Sequence, residues 1–445
     1  MISMSEPEPF TITISEEQLT DLRVRLSAAR VVPDDVAPGD RDPNGSWSYG
    51  TDRSVLKDFV QYWLEVYDWR AHEAKINELA HFTMPVLGLQ MHFIHERSEV
   101  ADAIPLLLVH GWPGSVVEFL KVIPKLKDAG FNVVAPSIPG FGWSEAPKMR
   151  GGNCEFMARH MHELMLQLGY DQYAAQGGDW GSIITGICAR QYPEHCVAYH
   201  TNMCVAAAPP TDLYGVMKTL FGLASMSAAE RQGLRSTKYF MRYETAYQKI
   251  QGTKPQSLAY GLNDSPVGLL AWILEKFQSW ADCGGGGPEK SGLTKDEILT
   301  NVMVYWVTQT IASSCRIYYE TLGHSPEAPS KGFGGYVAVP TGVLWANDIF
   351  KFPRFQAELQ YNVKHWSVQT KGGHFFAFEQ PQVFVAEVTH FFREVLSFED
   401  CKRRTAKRGQ GRPWELGRFL MYLAIMSGGA FAVQKHRKRW LRAKL

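Results

Sequence analysis

The sequence predicts an α/β fold in which a mostly parallel central sheet carries helices on both faces. From residue 83 onwards, short apolar runs with strand character alternate with helical runs, which is the pattern of a parallel sheet with crossover helices. A second indication is a glycine-flanked turn at 177–181, between a predicted strand and a predicted helix. The predicted strands are 91–95, 105–109, 132–136, 173–176, 196–201, 341–345 and 366–370.

Residues 1–82 are predicted to form a helical arm before this sheet. The segment Ser15-Glu16-Glu17-Gln18 has the capping-box pattern of a helix start, and we expect this helix to reach about Ala29. Two further helices are expected over 55–65 and 70–79. We expect the arm to pack on the domain that follows, and we assign no chemistry to it.

The main domain is predicted to consist of two parts, 83–204 and 336–400, separated by a helical lid over 205–335. In the first part, helices are expected over 116–128, 155–168 and 183–190. In the lid, strand–helix alternation gives way to helical, aromatic-rich sequence, which Gly284-Gly285-Gly286-Gly287-Pro288 interrupts with a predicted flexible loop. Residues 401–445 are predicted to form a tail outside this domain.

Composition excludes several classes of protein. A chain of 445 residues with 45% hydrophobic content can bury a large core plus an insertion. Residues 402–445 contain 13 Lys and Arg against one acid, Glu415, so they carry +12 and residues 1–401 carry −11. An acidic main domain argues against nucleic-acid binding. The seven cysteines form no Cys-x-x-Cys pair, so we expect neither a disulfide framework nor a zinc site.

Asp179 stands at the centre of Gly177-Gly178-Asp179-Trp180-Gly181. Glycines two positions before and after the central residue relieve the crowding of a sharp strand-to-helix turn, which presents one side chain above the sheet. A serine that attacked a saturated carbon would leave an ether, whereas a carboxylate leaves an ester that water can hydrolyse. The aspartate therefore predicts displacement at an alkyl carbon rather than acyl transfer.

Several motifs occur together in this chain. They are His110-Gly111-Trp112-Pro113-Gly114-Ser115, Gly177 to Ser182, Tyr247 with Ile250-Gln251-Gly252-Thr253-Lys254-Pro255, Asn263 to Leu269, and Gly372-Gly373-His374-Phe375. Together they resemble the α/β-hydrolase-fold epoxide hydrolases of the microsomal and fungal type, from about Pro9 to Leu396. The resemblance implies hydrolysis of a small apolar epoxide by water to a vicinal diol, with no metal or organic cofactor.

The resemblance also implies a base and an orienting acid for the nucleophile Asp179. His374 follows the nucleophile and the acid in the chain order that this fold uses, and it would take a proton from the water that attacks the ester. Asp348 stands just after a predicted strand, 26 residues before His374. It would hold the imidazole tautomer and stabilise the imidazolium. Asp264 is a second candidate for this acid.

Two phenols and two amides complete the site that the resemblance implies. Tyr247 and Tyr318 match the lid tyrosines of the family and would donate hydrogen bonds, then a proton, to the epoxide oxygen, with Tyr319 as the alternative to Tyr318. The backbone amides of Trp112 and Trp180 would form the oxyanion hole. The bond from Trp112 to the following proline is a candidate cis bond, and we expect both indoles to line an apolar tunnel under the lid.

Other functions remain open at this point. A haloalkane dehalogenase also forms an alkyl ester on an elbow aspartate, but it needs halide-binding N–H donors where this chain has lid phenols. A non-catalytic ligand-binding protein of this fold would be expected to lack Asp179, Asp348 or His374, and all three are present. A serine esterase is disfavoured because Ser182 lies beyond the apex of the turn.

The tail combines positive charge with apolar sequence. The uncharged run 419–433 has 15 residues, which is fewer than the ~20 that span a bilayer. We predict that residues 402–445 lie in the anionic cytoplasmic surface of a membrane or barely span that membrane. The final Ala443-Lys444-Leu445 resembles the peroxisomal Ser-Lys-Leu signal, and a tail with neither role is the third alternative.

Overall fold

The computed structural model describes residues 6–33, 45–206, 212–323 and 334–396. Internal contacts divide the chain into Met1–Val395 and Leu396–Leu445. The predicted tail, including Ala443-Lys444-Leu445, lies outside the described residues. Within them, no helix is both long enough and apolar enough to cross a membrane, and the described cysteines are buried free thiols.

Nine strands form one sheet in the described part of the chain. They are β1 (Glu8–Pro9), β2 (His81–Val86), β3 (Leu89–Glu96), β4 (Ile104–Val109), β5 (Phe131–Pro136), β6 (Tyr173–Gly177), β7 (Cys196–Thr201), β8 (Val337–Trp345) and β9 (Tyr361–Val368). Their order is β1-β2-β3-β5-β4-β6-β7-β8-β9. The pairs from β1 to β5 are antiparallel, and those from β5 to β9 are parallel. The predicted mostly parallel sheet is confirmed.

Helices precede, connect and follow these strands. They are α1 (Glu16–Ser27), α2 (Arg53–Glu65), α3 (Trp69–Ile76), α4 (Ile123–Asp128), α5 (Cys154–Gln167), α6 (Asp179–Gln191), α7 (Leu213–Ser225), α8 (Ala228–Tyr239), α9 (Ala246–Thr253), α10 (Pro255–Asp264), α11 (Pro266–Trp280), α12 (Lys295–Thr308), α13 (Ile311–Thr321), α14 (Arg354–Gln360), α15 (Phe376–Glu379) and α16 (Pro381–Val395). Short 3₁₀ turns occur at Gly45–Trp47, Val116–Phe119 and Pro288–Ser291, and a π-turn at Phe240–Glu244.

The three helices predicted in the N-terminal arm are present as α1, α2 and α3, but strand β1 precedes them and strand β2 follows them. Ser15 and Gln18 form the predicted capping box, in which the Ser15 hydroxyl accepts from the Gln18 amide at 3.2 Å. The predicted end of the arm at residue 82 is wrong, because it falls inside β2. The β2–β3 hairpin turns at Leu87 and Gly88, which have φ of 47° and 86°. Leucine is rare in this conformation, so the usual hairpin signal is missing from the sequence.

Two predicted elements of the main domain are displaced in the structure. The single helix expected over 116–128 is a 3₁₀ turn at Val116–Phe119 followed by α4, because Pro124 lacks an amide hydrogen and is accommodated only in the first turn of a helix. The strand expected over 366–370 starts earlier, at Tyr361. Its bounds follow from its pairing with β8, which the sequence does not display.

The topology brings the predicted site to one edge of the sheet. Strands β4, β6, β8 and β9 are parallel, so the loops that follow them emerge at the same edge, where ligands bind in open α/β sheets. These loops carry Trp112, Asp179, Asp348 and His374. The helices α7 to α13 lie between β7 and β8 in the chain, within the predicted lid.

Candidate active site

Asp179 occupies a tight turn between β6 and α6. Its φ is 49°, an uncommon conformation for a residue other than glycine and one that is often found at functional sites. A Cβ on Gly181 would approach the Val109 carbonyl oxygen to 2.0 Å, and one on Gly177 would approach the Gly181 carbonyl oxygen to 2.2 Å. Glycine is therefore required on both sides of Asp179, as the sequence predicts.

The structure brings Asp179, His374 and Asp348 together. The Nε2 atom of His374 lies 3.3 Å from Oδ2 of Asp179. Its Nδ1 atom donates a hydrogen bond to Oδ1 of Asp348 at 2.7 Å. Asp348 also accepts from the amide of Ile349 at 2.5 Å. Asp264, the alternative acid, is 82% exposed and pairs with Arg25 at 2.8 Å.

The charge of His374 depends on its two carboxylate partners. Burial by itself lowers the pKa of an imidazole, but the negative charges of Asp348 and Asp179 outweigh burial and hold the pKa of His374 well above its usual range. Between these two acidic side chains, His374 therefore holds its proton more tightly than a free imidazole does. Loss of either negative charge would lower the pKa of His374.

The predicted oxyanion amides lie close to the nucleophile. The amide N–H of Trp112 donates to Oδ1 of Asp179 at 2.7 Å. The peptide bond from Trp112 to Pro113 is cis, as predicted. A Cβ on Gly111 would lie 2.3 Å from the Cβ of Asp179, so this loop can approach the nucleophile only with glycine there. Trp180 lies in the first turn of α6, where the backbone amides have no acceptor within the helix.

The two predicted phenols meet in an aromatic cluster. Tyr247 of α9 and Tyr318 of α13 are buried, with ring centres 5.7 Å apart. The Tyr318 ring packs edge-on against Trp180 at 4.8 Å and against Trp112 at 5.7 Å. The Tyr247 ring stacks on Trp112 at 5.6 Å. Burial first, and then the negative charge of Asp179, raises the pKa of Tyr247, and burial likewise raises the pKa of Tyr318, so both phenols hold their protons tightly.

Trp280 and Glu379 hold the loop of His374, and the motif analysis missed both. The carbonyl of Trp280 accepts from the His374 amide at 2.9 Å, and its ring packs edge-on against the imidazole at 5.1 Å. The Glu379 carboxylate accepts from the amides of Gly373 and Phe375, each at 3.0 Å, and from a third amide at 2.8 Å. The glutamate five residues after His374 was a sequence signal for this role, but carboxylates at such spacings are common.

A small cavity lies beside the triad. It has a volume of about 20 Å³ and its lining includes Asp179, His374, Asn202 and Glu118. This volume admits about one water molecule. Burial raises the pKa of Glu118, the charge of His374 lowers it and that of Asp179 raises it, and the net pKa is about 8. A neutral Glu118 can donate a hydrogen bond into this cavity.

A second, larger cavity differs from the predicted tunnel. Its volume is about 1220 Å³, and its lining includes Tyr239, Phe240, Trp280 and Asp348. Trp112 and Trp180, predicted to line an apolar tunnel under the lid, do not line this cavity; their rings pack against Tyr247 and Tyr318. Trp280 contacts both the cavity and the aromatic cluster.

A metal could be held elsewhere on the chain. Among the described residues, His365, His390 and Glu394 place ligand atoms within 4.8 Å of one another. His390 and Glu394 are exposed, and Nε2 of His365 already lies 2.9 Å from a carboxylate oxygen of Glu387. This group shares no residue with the predicted site.

Comparison with known proteins relates the chain to one enzyme family. The model of the epoxide hydrolase N terminus matches residues 7–119, and that of the alpha/beta hydrolase fold matches residues 104–310. A putative epoxide hydrolase of Stigmatella aurantiaca (strain DW4/3-1) is 39% identical over 401 residues, 87% of this chain and 85% of that protein. Epoxide hydrolase 1 of Sus scrofa is 36% identical over 407 residues, 86% of this chain and 88% of that protein.

A solved structure also relates this chain to the epoxide hydrolases. The juvenile hormone epoxide hydrolase from the silkworm Bombyx mori superposes with a TM-score of 0.77 at 33% identity, covering 89% of this chain and 96% of that chain. The α/β-hydrolase fold and the resemblance noted from the motifs are thereby confirmed.

Proposed function

This chain belongs to the epoxide hydrolases, and we propose that it opens its substrate through a covalent ester on Asp179. The observation that carries this proposal is that His374 lies between Asp179 and Asp348, with two buried phenols packed together beside the Trp112 and Trp180 rings. The phenols favour epoxide opening over halide displacement, because an epoxide oxygen needs proton donors. The names of the relatives agree with this choice over a haloalkane dehalogenase.

In the first step, a carboxylate oxygen of Asp179 attacks one ring carbon of the epoxide. The carbon–oxygen bond of the ring breaks, and its electron pair stays on the epoxide oxygen, which Tyr247 and Tyr318 hold and protonate. Tyr318 is preferred over Tyr319 because its ring contacts Tyr247, Trp112 and Trp180. The product is a hydroxyalkyl ester.

Esterification changes the state of His374. Asp179 is neutral as an ester, so one of the two charges that raise the pKa of His374 is lost. The imidazole then releases a proton, which balances the proton that the epoxide oxygen has gained. A neutral imidazole is the form that can act as a base in the second step.

In the second step, water attacks the carbonyl carbon of the ester. His374 takes the proton of this water, Asp348 stabilises the imidazolium, and the amides of Trp112 and Trp180 hold the oxyanion. As the oxyanion collapses, the bond from the carbonyl carbon to the alkyl oxygen breaks, the alkyl oxygen takes up the remaining proton of the added water, and the diol leaves the regenerated Asp179 carboxylate. We place the attacking water in the 20 Å³ cavity beside His374, with Glu118 as a positioning residue.

The ester itself tests this proposal. We expect His374→Gln, treated with excess styrene oxide and quenched, to carry one added epoxide mass on the peptide that contains Asp179. The unsubstituted protein, turned over in oxygen-18 water, should incorporate the label into the Asp179 carboxylate. An adduct on another residue, or no label after many turnovers, would contradict the mechanism.

We also propose roles for two segments outside the triad. The helices α7 to α13 would act as a lid over the substrate.

Residues 402–445 would contact the anionic cytoplasmic surface of a membrane, because they carry a charge of +12 and contain the apolar run 419–433. Imaging of fluorescent fusions with and without 402–445 tests this. A peroxisomal pattern supports Ala443-Lys444-Leu445 as the signal, and a uniform signal in both fusions contradicts both roles.

A further inference from the structure

Lys276 is a buried cation enclosed by three aromatic rings. Its side chain is 7% exposed. Trp272 and Trp280 stand four residues before and after it in α11, so all three share one face of the helix. The Nζ atom lies 5.8 Å from the ring centre of Trp272 and 5.5 Å from that of Trp280. The nearest ring is that of Tyr247, at 4.5 Å.

The charge of Lys276 is costly to keep at this position. Burying an ammonium group is unfavourable unless it is paired, and the compensation here comes from an ion pair with Glu275 and from the three rings. An apolar side chain of similar volume would fill the same space without this cost. Packing alone therefore does not explain a lysine between Trp272 and Trp280.

The position of the cation relative to Tyr247 suggests a chemical role. Burial and the negative charge of Asp179 raise the pKa of Tyr247, and Glu275 acts in the same direction. All three effects oppose the transfer of a proton from this phenol. The Lys276 ammonium lies 4.5 Å from the centre of the Tyr247 ring. Negative charge that spreads into this ring as the proton leaves is attracted to a nearby cation, so Lys276 acts in the opposite direction.

We propose that Lys276 is a positioning residue for ring opening, whose ammonium stabilises the negative charge that Tyr247 acquires as it donates its proton to the epoxide oxygen. The inference rests on the proposed role of Tyr247. The O–H bond of Tyr247 breaks as the ring carbon–oxygen bond breaks, and the phenolate is then reprotonated by the proton that His374 releases. Lys276 itself neither gains nor loses a proton.

The test isolates ester formation in a His374→Gln background, in which the ester accumulates. We expect Lys276→Met to slow the growth of the Asp179 adduct about 10- to 30-fold, the range for a desolvated cation–π contact. Lys276→Arg keeps the cation and should stay within about threefold. Lys295→Met is the matched control, since Lys295 also lies over two rings and pairs with an acid, but outside the site. It should leave the rate unchanged.

A substrate pair separates this role from a structural one. The alkoxide from 3,3,3-trifluoro-1,2-epoxypropane is more stable than that from 1,2-epoxypropane and depends less on proton donation. The defect of Lys276→Met should therefore be smaller with the fluorinated epoxide. The defect should also vanish in a Tyr247→Phe background, because the cation would then have no phenol to act on. Lys276→Gln serves in the same comparisons if the methionine variant does not fold.

The outcomes distinguish this inference from the mechanism it rests on. Absence of any adduct in His374→Gln overturns the ester mechanism. Normal adduct formation with an unchanged rate in the Lys276 variants overturns the role of Lys276 alone. A defect that is equal with both epoxides, or that persists in Tyr247→Phe, shows a structural role and also overturns the inference.

Discussion

The two halves of this site are built in different ways. The strand-end group, Asp179, His374, Asp348 and the Trp112 amide, lies on loops after parallel strands and is held by charge-assisted hydrogen bonds. The helical group, Tyr247, Tyr318, Trp280 and Lys276, lies on α9, α13 and α11 and is held mostly by ring contacts. The first group provides the nucleophile and the base, and the second provides the proton donors. The two steps of the reaction thus depend on separate parts of the fold.

The largest expected effect is the loss of the nucleophile in the strand-end group. Asp179→Ala should reduce diol formation by more than about 10⁴-fold, because no other group can form the ester. Asp348→Asn should still form the ester but hydrolyse it about 10³-fold more slowly, because His374 loses its orienting partner. Diol assays and mass spectrometry of the quenched protein measure both. Ester hydrolysis at the normal rate in Asp348→Asn would contradict the assignment of Asp348 to the hydrolysis step.

The helical group should affect the other step. Tyr247→Phe and Tyr318→Phe should each slow ester formation about 10- to 100-fold, and the double variant about 10³-fold, since one phenol partly replaces the other. Hydrolysis of an ester already formed should be unchanged. Single-turnover rapid quench separates the two rates. Tyr319→Phe is the control, and a larger effect from it than from Tyr318→Phe would reverse the choice between these neighbours.

The loop that carries His374 is held by buried hydrogen bonds from backbone amides to the Glu379 carboxylate. Glu379→Gln replaces a carboxylate that accepts three amides by a group with a single acceptor oxygen. We expect a loss of about 2 kcal/mol in the free energy of unfolding, the typical cost of unsatisfied buried donors. Urea denaturation measures it. The exposed Glu394 provides the control, and equal losses in the two variants would show that these bonds contribute little.

Glu118 should act only after the ester has formed. If it positions the attacking water, Glu118→Gln should slow hydrolysis about tenfold, within the range for a positioned acid–base group. Ester formation should keep its normal rate, so the steady-state amount of ester on Asp179 should rise. Rapid quench measures that amount. Slower ester formation with normal ester hydrolysis would show that Glu118 acts in the first step instead.

The last expected effect concerns pH and stability. The pKa of Glu118 is about 8 in the folded protein, above the ~4.3 of an exposed glutamate, so the folded state binds this proton more tightly. The resulting stabilisation is fully present below about pH 4.3 and is lost as the pH rises towards 8. In Glu118→Gln, the decline in the free energy of unfolding between pH 5 and 8.5 should be smaller than in the unsubstituted protein, because this proton is no longer lost. Denaturation at both pH values checks this, and an unchanged decline would contradict it.

More residues of the strand-end group than of the helical group could be predicted from the sequence. Asp179 is recognisable from glycines two residues away, and the structure shows the close contacts that require them. His374 follows from chain order and from its place after a strand, whereas the sequence left Asp264 as an alternative to Asp348 for the orienting acid. Tyr318 could not be separated from Tyr319 in this way, because adjacent residues of a helix differ by about 100° in direction and only the packing of α13 decides which one faces inwards.

Other features of the fold and the site could not be predicted from the local sequence. The hairpin at Leu87 uses a residue that is unusual in its turn, and Glu118 enters the site only because a loop after β4 places it beside His374. The spacing of Trp272, Lys276 and Trp280 is visible in the sequence, but its meaning depends on Tyr247, which belongs to another helix.

The amino-acid sequence by itself determined the alternation of strands and helices, the elbow with its nucleophile, and the base. These depend on backbone geometry within a few residues and on the order of elements along the chain. Only the tertiary structure decided which phenol joins Tyr247, which acid pairs with His374, and what surrounds Lys276. Those outcomes depend on contacts between residues far apart in the chain, whose distances and burial are set when the helices pack on the sheet.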